Sequence, residues 1–243
     1  MAADNTPSSA PDPARMVADA RRAFFVMFGV LCLVWAVQLA NWLSDYRLTV
    51  EGGILARRPD QLADLLTAPF LHVNWQHLEG NSGPLFVFGF LAAYRGIRRF
   101  LGLTALVVLT SGAAVWLFSG DDVVTVGASG VIYGYFGYVV LRGLIDRNLI
   151  DSLIGVVMGA SFAYILTTAV PGTPGVSWLG HLGGLLGGLA GAWIFRARTA
   201  RAAKGAKEAK DARPIGSAPV PAQGEAPPSE RAQLLKELDD LGL

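Results

Sequence analysis

A serine hydroxyl attacks a carbonyl only when a base takes its proton, and imidazole is the side chain whose ordinary pKa suits that task near neutral pH. The sequence holds Ser129 in Val-Gly-Ala-Ser-Gly (126–130) and His181 in Gly-His-Leu-Gly-Gly (180–184), and we read them as nucleophile and base. No Asp or Glu lies in either surrounding apolar run to act as a third member, since Asp121 and Asp122 precede the first, so a serine–histidine pair alone is expected. Tyr133 follows Ser129 by four residues, which puts its ring on the same helical face to stack on the imidazole. His77 and Asn81, in Trp-Gln-His-Leu-Glu-Gly-Asn, share the i, i+4 spacing; both are donors, and with the Ser129 amide they suit a developing oxyanion. Small residues at this density also suit close helix packing in lipid, so Gly-Ala-Ser-Gly by itself leaves packing and catalysis both open.

These residues need a scaffold, and composition says which kind. The chain has 243 residues, 52% of them hydrophobic and only 16% charged, which excludes an ordinary water-soluble enzyme. The charges are segregated, with 17 of 39 in residues 24–195 and the rest in the two ends. Apolar runs recur at 24–43, 75–94, 100–118, 126–144, 150–170 and 178–195, each close to the roughly 20 residues that cross a bilayer as a helix. Six membrane helices are expected, since an open sheet cannot leave its backbone unpaired in lipid. Residues 1–23 and 196–243 read as disordered tails, the second Pro-rich and ending in a short amphipathic stretch of helical spacing. Arginines cluster before span one (Arg15, Arg21, Arg22), between spans two and three (Arg95, Arg98, Arg99), beside Arg142 and Arg147, and after span six. That asymmetry places both termini in the cytoplasm and the protein in the cell membrane.

With spans four and six running inward from the same surface, Ser129 and His181 sit about three residues into each, a common depth of roughly 5 Å. Gly130 and Gly134 on one span, and Gly180, Gly184 and Gly188 on the other, let the two helices touch, and Gly183, Gly187 and Gly191 form a second small ridge. Cys32 has no partner in the chain for a disulfide, and a net charge of +1 gives no reason to expect nucleic acid.

Taken in this order, the motifs resemble those of the rhomboid intramembrane serine proteases: H-x-x-x-N in the second span, G-x-S-G in the fourth and H-x-x-G-x-x-x-G in the sixth. They are present as His77 and Asn81, as Gly127, Ala128, Ser129 and Gly130, and as His181, Gly184 and Gly188. The resemblance covers roughly residues 24–195. It implies an all-α membrane protein built as a six-helix rhomboid-like bundle, with Ser129 as nucleophile and His181 as base, and His77, Asn81 and the Ser129 N–H on the oxyanion. It also implies Tyr133 packed on the histidine, and His72 in a structural role. The expected activity is endopeptidase cleavage of transmembrane protein substrates near the outer face of the lipid bilayer, with no cofactor and no metal. Two features depart from relatives or lack an account. Residues 44–74 carry no Trp-Arg pair, and Glu79, between His77 and Asn81, has no evident partner. Rival readings are a non-catalytic binder of transmembrane helices and a metal shared by His72, His77 and His181, although H-E-x-x-H is absent.

Overall fold

A computed structural model describes residues 12–196. The expected head at 1–11, and the expected tail with its end helix from 197 onward, lie outside these residues. The described residues form α1 (Pro13–Leu43), α2 (Arg47–Gly52), α3 (Asp64–Thr67), α4 (Trp75–Ala93), α5 (Ile97–Phe118), α6 (Ser129–Asp146), α7 (Leu149–Phe162) and α8 (Trp178–Ile194). Among them there is no strand, only one antiparallel bridge between Ile54 and Thr125.

Several boundaries differ from the sequence expectation, each for a local reason. Residues 13–23, expected as disordered, are the first turns of α1. Asp12 accepts from the Ala14 N–H, Pro13 occupies the first turn where its missing donor costs nothing, and Arg15–Asp12 and Arg22–Asp19 pair one turn apart. The fourth run becomes helical only at Ser129, because Gly127 takes φ +123°, a conformation no right-handed helix contains. The fifth run is α-helical to Phe162 and then tightens into a 3-10 segment, Ala163–Thr168. Arg142, expected to flank the turn after span four, lies within α6, buried and paired with Asp146 at 2.9 Å.

Six runs are expected to cross a membrane; among the described residues, three helices are long and apolar enough by length and composition alone. They are α1, α5 and the stretch Leu149–Thr168. Their apolar windows are only 22%, 28% and 11% buried, so most of that surface faces outward. By contrast, 12 of the 18 residues of α6 are buried. A helix sheathed by protein has no need of a greasy exterior, so α6 tolerates the Tyr, Gly and Arg residues that dilute its hydropathy.

The centre is held by glycine. A Cβ on Gly184 or Gly188 would overlap the backbone carbonyls of Gly130 and Gly134, so α6 and α8 meet backbone to backbone. The second ridge of α8 serves α5: side chains at Gly183 and Gly187 would strike Thr110 and Ser111, and one at Gly191 would strike Leu103. Ser111 Oγ donates to the Gly180 carbonyl at 2.8 Å, tying α5 to the first turn of α8. Residues 44–74 fold onto the α5–α6 connection. Ile54 and Thr125 exchange both backbone hydrogen bonds (2.9 and 3.0 Å), and the Gly127 N–H donates to the Ala68 carbonyl at 2.9 Å. This connection therefore enters α6 along a fixed path.

Candidate active site

Ser129 opens α6 and His181 is the fourth residue of α8, so the two are not at equal depth in their helices as expected; they differ by three residues, or roughly 4.5 Å of helix rise. The seam between α6 and α8 offsets this by bringing both side chains to one cavity of about 690 Å³, which His77 and Asn81 of α4 also line. Among the described residues no hydrogen bond joins Ser129 Oγ to His181. His181 is 6% exposed and held on two sides. The Tyr133 ring stacks on the imidazole with centroids 4.1 Å apart and planes 9° from parallel. His181 Nδ1 lies 2.8 Å from the Thr168 carbonyl, to which it donates, so in the neutral imidazole Nε2 is the acceptor. Tyr133 in turn secures that carbonyl's segment, its hydroxyl bonding the Ile165 carbonyl and the Thr168 hydroxyl.

The opposite wall begins at Asn74, which caps α4 by accepting from the His77 N–H at 2.7 Å. His77 thereby sits in the first turn of α4, with Asn81 one turn further in and 9% exposed. Gly127 passes directly beside them: a Cβ there would lie 2.7 Å from His77 Cε1 and 3.7 Å from Asn81 Nδ2. Only glycine satisfies both that close approach and the positive φ, which is the local demand behind the first glycine of Gly-Ala-Ser-Gly. Gly130 is as tightly confined, by Ser111 and by the Gly180 carbonyl. Glu79 faces outward and is exposed.

One participant had no signature in the sequence. The Thr168 carbonyl is a main-chain group, and no residue letter announces an acceptor that every residue carries. His72 is completely buried, and its Nε2 lies 3.1 Å from Asn81 Nδ2 and 3.5 Å from the Ala128 amide. Burial, and secondly the neighbouring His77, push the His72 imidazole down to about 4, so it is neutral near pH 7. Its ring meets that of His77 edge-on at 4.9 Å. The three histidines form no metal cluster among the described residues.

Three helices among the described residues are long and apolar enough to cross a bilayer, which fits a multi-pass membrane protein. A family model described as the Rhomboid domain matches residues 59–198, more than half of the chain. The chain belongs to the rhomboid family. It is 38% identical over 158 residues to an uncharacterized protein of Mycobacterium tuberculosis, covering 62% of this chain and 65% of that one, just under two thirds of the relative's length. It is 32% identical over 109 residues to Rhomboid-like protein 11, chloroplastic, of Arabidopsis thaliana, covering 43% of this chain and 39% of that protein. A Bacillus subtilis protein, provisionally described as a rhomboid protease, is 27% identical over 144 residues, covering 53% of this chain and 70% of its own.

Proposed function

We propose that this protein is an intramembrane serine endopeptidase that cuts transmembrane segments of other proteins near the outer membrane boundary. The observation that carries the reading is the state of His181: with Nδ1 committed to a carbonyl, Nε2 keeps its lone pair in the cavity that Ser129 lines. A carbonyl at Nδ1 does what a carboxylate does in a three-residue site, fixing the tautomer and favouring the imidazolium that forms. Catalytic hydrogen bonds are commonly loose without substrate and tighten when it binds.

In this scheme Ser129 Oγ attacks an exposed substrate carbonyl while its proton passes to His181 Nε2. The electron pair moves onto the carbonyl oxygen, facing Asn81, His77 and the Ser129 amide. Collapse expels the amine, which takes the proton from His181, and water then hydrolyses the acyl-serine by the same steps in reverse order. Buried carbonyls in an intact substrate helix are shielded by their own hydrogen bonds, so segments with small or helix-weakening residues near the outer boundary are the expected substrates.

The membrane arrangement completes the proposal. At 1.5 Å per residue, α4, α6 and α8 measure about 25 to 29 Å, near the roughly 30 Å of a bilayer core. With α1, α5 and α7 they make six crossings, both termini cytoplasmic, in the cell membrane.

Replacing Ser129 by Ala is expected to abolish cleavage of a reporter transmembrane substrate in proteoliposomes, and a fluorophosphonate is expected to modify Ser129 in the unaltered protein and not when His181 is Ala. Turnover by the Ser129→Ala protein would remove the proposal. Substrate capture without cutting, indifferent to that change, would establish the non-catalytic binder instead.

A further inference from the structure

Resting on the protease reading, we propose that His72 is the positioning residue of the oxyanion side: its Nε2, acting as an acceptor, turns the Asn81 amide so that NH2 rather than C=O serves the cavity. An asparagine amide is nearly symmetric in shape and opposite in polarity at its two ends. For an oxyanion the distinction is decisive, since a carbonyl oxygen in that place would repel the charge it is meant to hold.

Two donors converge on the one nitrogen, Asn81 Nδ2 at 3.1 Å and the Ala128 N–H at 3.5 Å. Neither arrangement works unless Nε2 is bare, so His72 is the tautomer with its proton on Nδ1. One amide hydrogen of Asn81 is then spent on His72, and its geminal partner remains for the cavity that Asn81 lines. Ala128 immediately precedes Ser129, so the same imidazole also holds the peptide leading into the nucleophile. The third expected oxyanion residue is within its reach as well, with the His77 ring packed against it.

His72 is well placed to impose an orientation. It is 0% exposed, so a flipped Asn81 would find no water to replace the lost bond. Its own backbone is pinned: the His72 carbonyl accepts from Asn41 Nδ2 at 3.1 Å and from Thr49 Oγ1 at 3.4 Å, which ties it to α1 and α2. Asn41 is itself fully buried and accepts from the Thr49 N–H at 3.1 Å.

The test compares two replacements. Glutamine carries an amide oxygen at about the reach of Nε2, whereas leucine carries no acceptor. Reconstituted H72Q is expected to keep kcat within about threefold of the unaltered enzyme, and H72L to lose on the order of 10- to 100-fold in kcat with KM little changed. Full kcat in folded H72L, or equal losses in H72Q and H72L at unaltered melting temperature, would overturn the proposal. Should H72L not fold, H72N, whose oxygen falls at the reach of Nδ1, is combined with Asn81→Ala. The double variant is then expected to be no slower than Asn81→Ala alone, and additive losses count against the proposal. A readout independent of activity is the 15N spectrum of the protein labelled at its three histidines. His72 is expected as the Nδ1–H tautomer, with an Nε2 resonance that moves on Asn81→Ala; an Nε2–H tautomer overturns the inference whether or not the protein cleaves anything. A wild-type protein that neither cleaves nor labels at Ser129 would instead remove the protease reading on which the inference rests.

Discussion

Helices α6 and α7 are consecutive and both apolar, yet 12 of the 18 residues of α6 are buried while only Asp151 and Gly155 are buried among the 14 of α7. The difference lies in side-chain size. In lipid, apolar residues gain little by leaving the solvent, so helices associate where small residues let backbones approach and van der Waals contacts accumulate. Along α6, Gly130 and Gly134 meet the α8 glycines, whereas α7 touches α6 closely only near its start, where Gly143 meets the Asp151–Ser152 backbone and Gly155 the Val140 carbonyl, and presents Leu149, Ile150, Leu153, Val156 and Val157 outward. At its start α7 is held by the Arg95–Asp151 ion pair, and at its far end, through the 3-10 segment, by the Tyr133 hydroxyl. The same 3-10 segment supplies the carbonyl that orients His181. Ser129 thus stands beside the backbone contact of α6 with α8, and the carbonyl that orients His181 stands on a 3-10 segment at the end of a mostly exposed helix.

Substitution at the seam gives the largest expected effect. Gly188→Val pushes a branched side chain into the Gly134 carbonyl, and we expect a loss of about 3 kcal/mol or more, read as failure to recover folded protein or as a large drop in the unfolding midpoint in mixed micelles. A Gly188→Val protein of ordinary stability would mean that α6 and α8 are not in backbone contact.

Next in size is the pH response of the wall facing that seam. His72 is held at about 4 in the folded protein against roughly 6.5 unfolded, so the unfolded state binds more protons between those values. Stability is therefore full above about pH 6.5 and falls by roughly 3 kcal/mol as the pH drops through 4. The part of this acid destabilisation that vanishes in H72Q measures it; an identical pH profile for the two proteins contradicts the neutral, buried assignment.

A smaller change addresses the loosely held element. Tyr133→Phe keeps the ring on His181 but removes the hydroxyl's bonds to Ile165 and Thr168. A stability loss of about 1 kcal/mol is expected, with a larger proportional loss of kcat, on the order of 10-fold, because the Thr168 carbonyl loses its anchor. Unchanged kcat would show that the 3-10 segment holds its place without Tyr133. The smallest effect belongs to Gly159→Ala on α7, where the added methyl meets only Val140 side-chain atoms at 3.7 Å; its unfolding midpoint should stay within about 0.5 kcal/mol of the parent, or rise. Marked destabilisation there would erase the contrast between the two helices.

Much of this was legible in the sequence, because bilayer thickness and helical pitch convert residue spacing into position. The apolar runs marked α1 and α4 to α8, the glycines four apart marked the α6–α8 contact, and the resemblance singled out the polar residues that line the cavity. The polar composition of residues 13–23 suggests disorder, whereas the Asp12 cap, Pro13 in the first turn and paired charges favour the helix that forms. Ser129 opens its helix instead of lying three residues in, because Gly127 delays α6 by three residues, and a positive φ is not readable from composition.

What the sequence determined by itself is therefore the inventory: which residues have side chains suited to chemistry, which stretches are helical and apolar, and which helix faces are small enough to touch. These follow from side-chain chemistry and local periodicity, and need no knowledge of distant neighbours. What only the tertiary structure decided is orientation. Whether His181 presents Nε2 or Nδ1, and which end of Asn81 faces the cavity, depends on a carbonyl 13 residues from His181 and an imidazole nine residues from Asn81. Such polarity is set by whichever donor or acceptor happens to be buried beside each group, and the chain must fold before those partners exist.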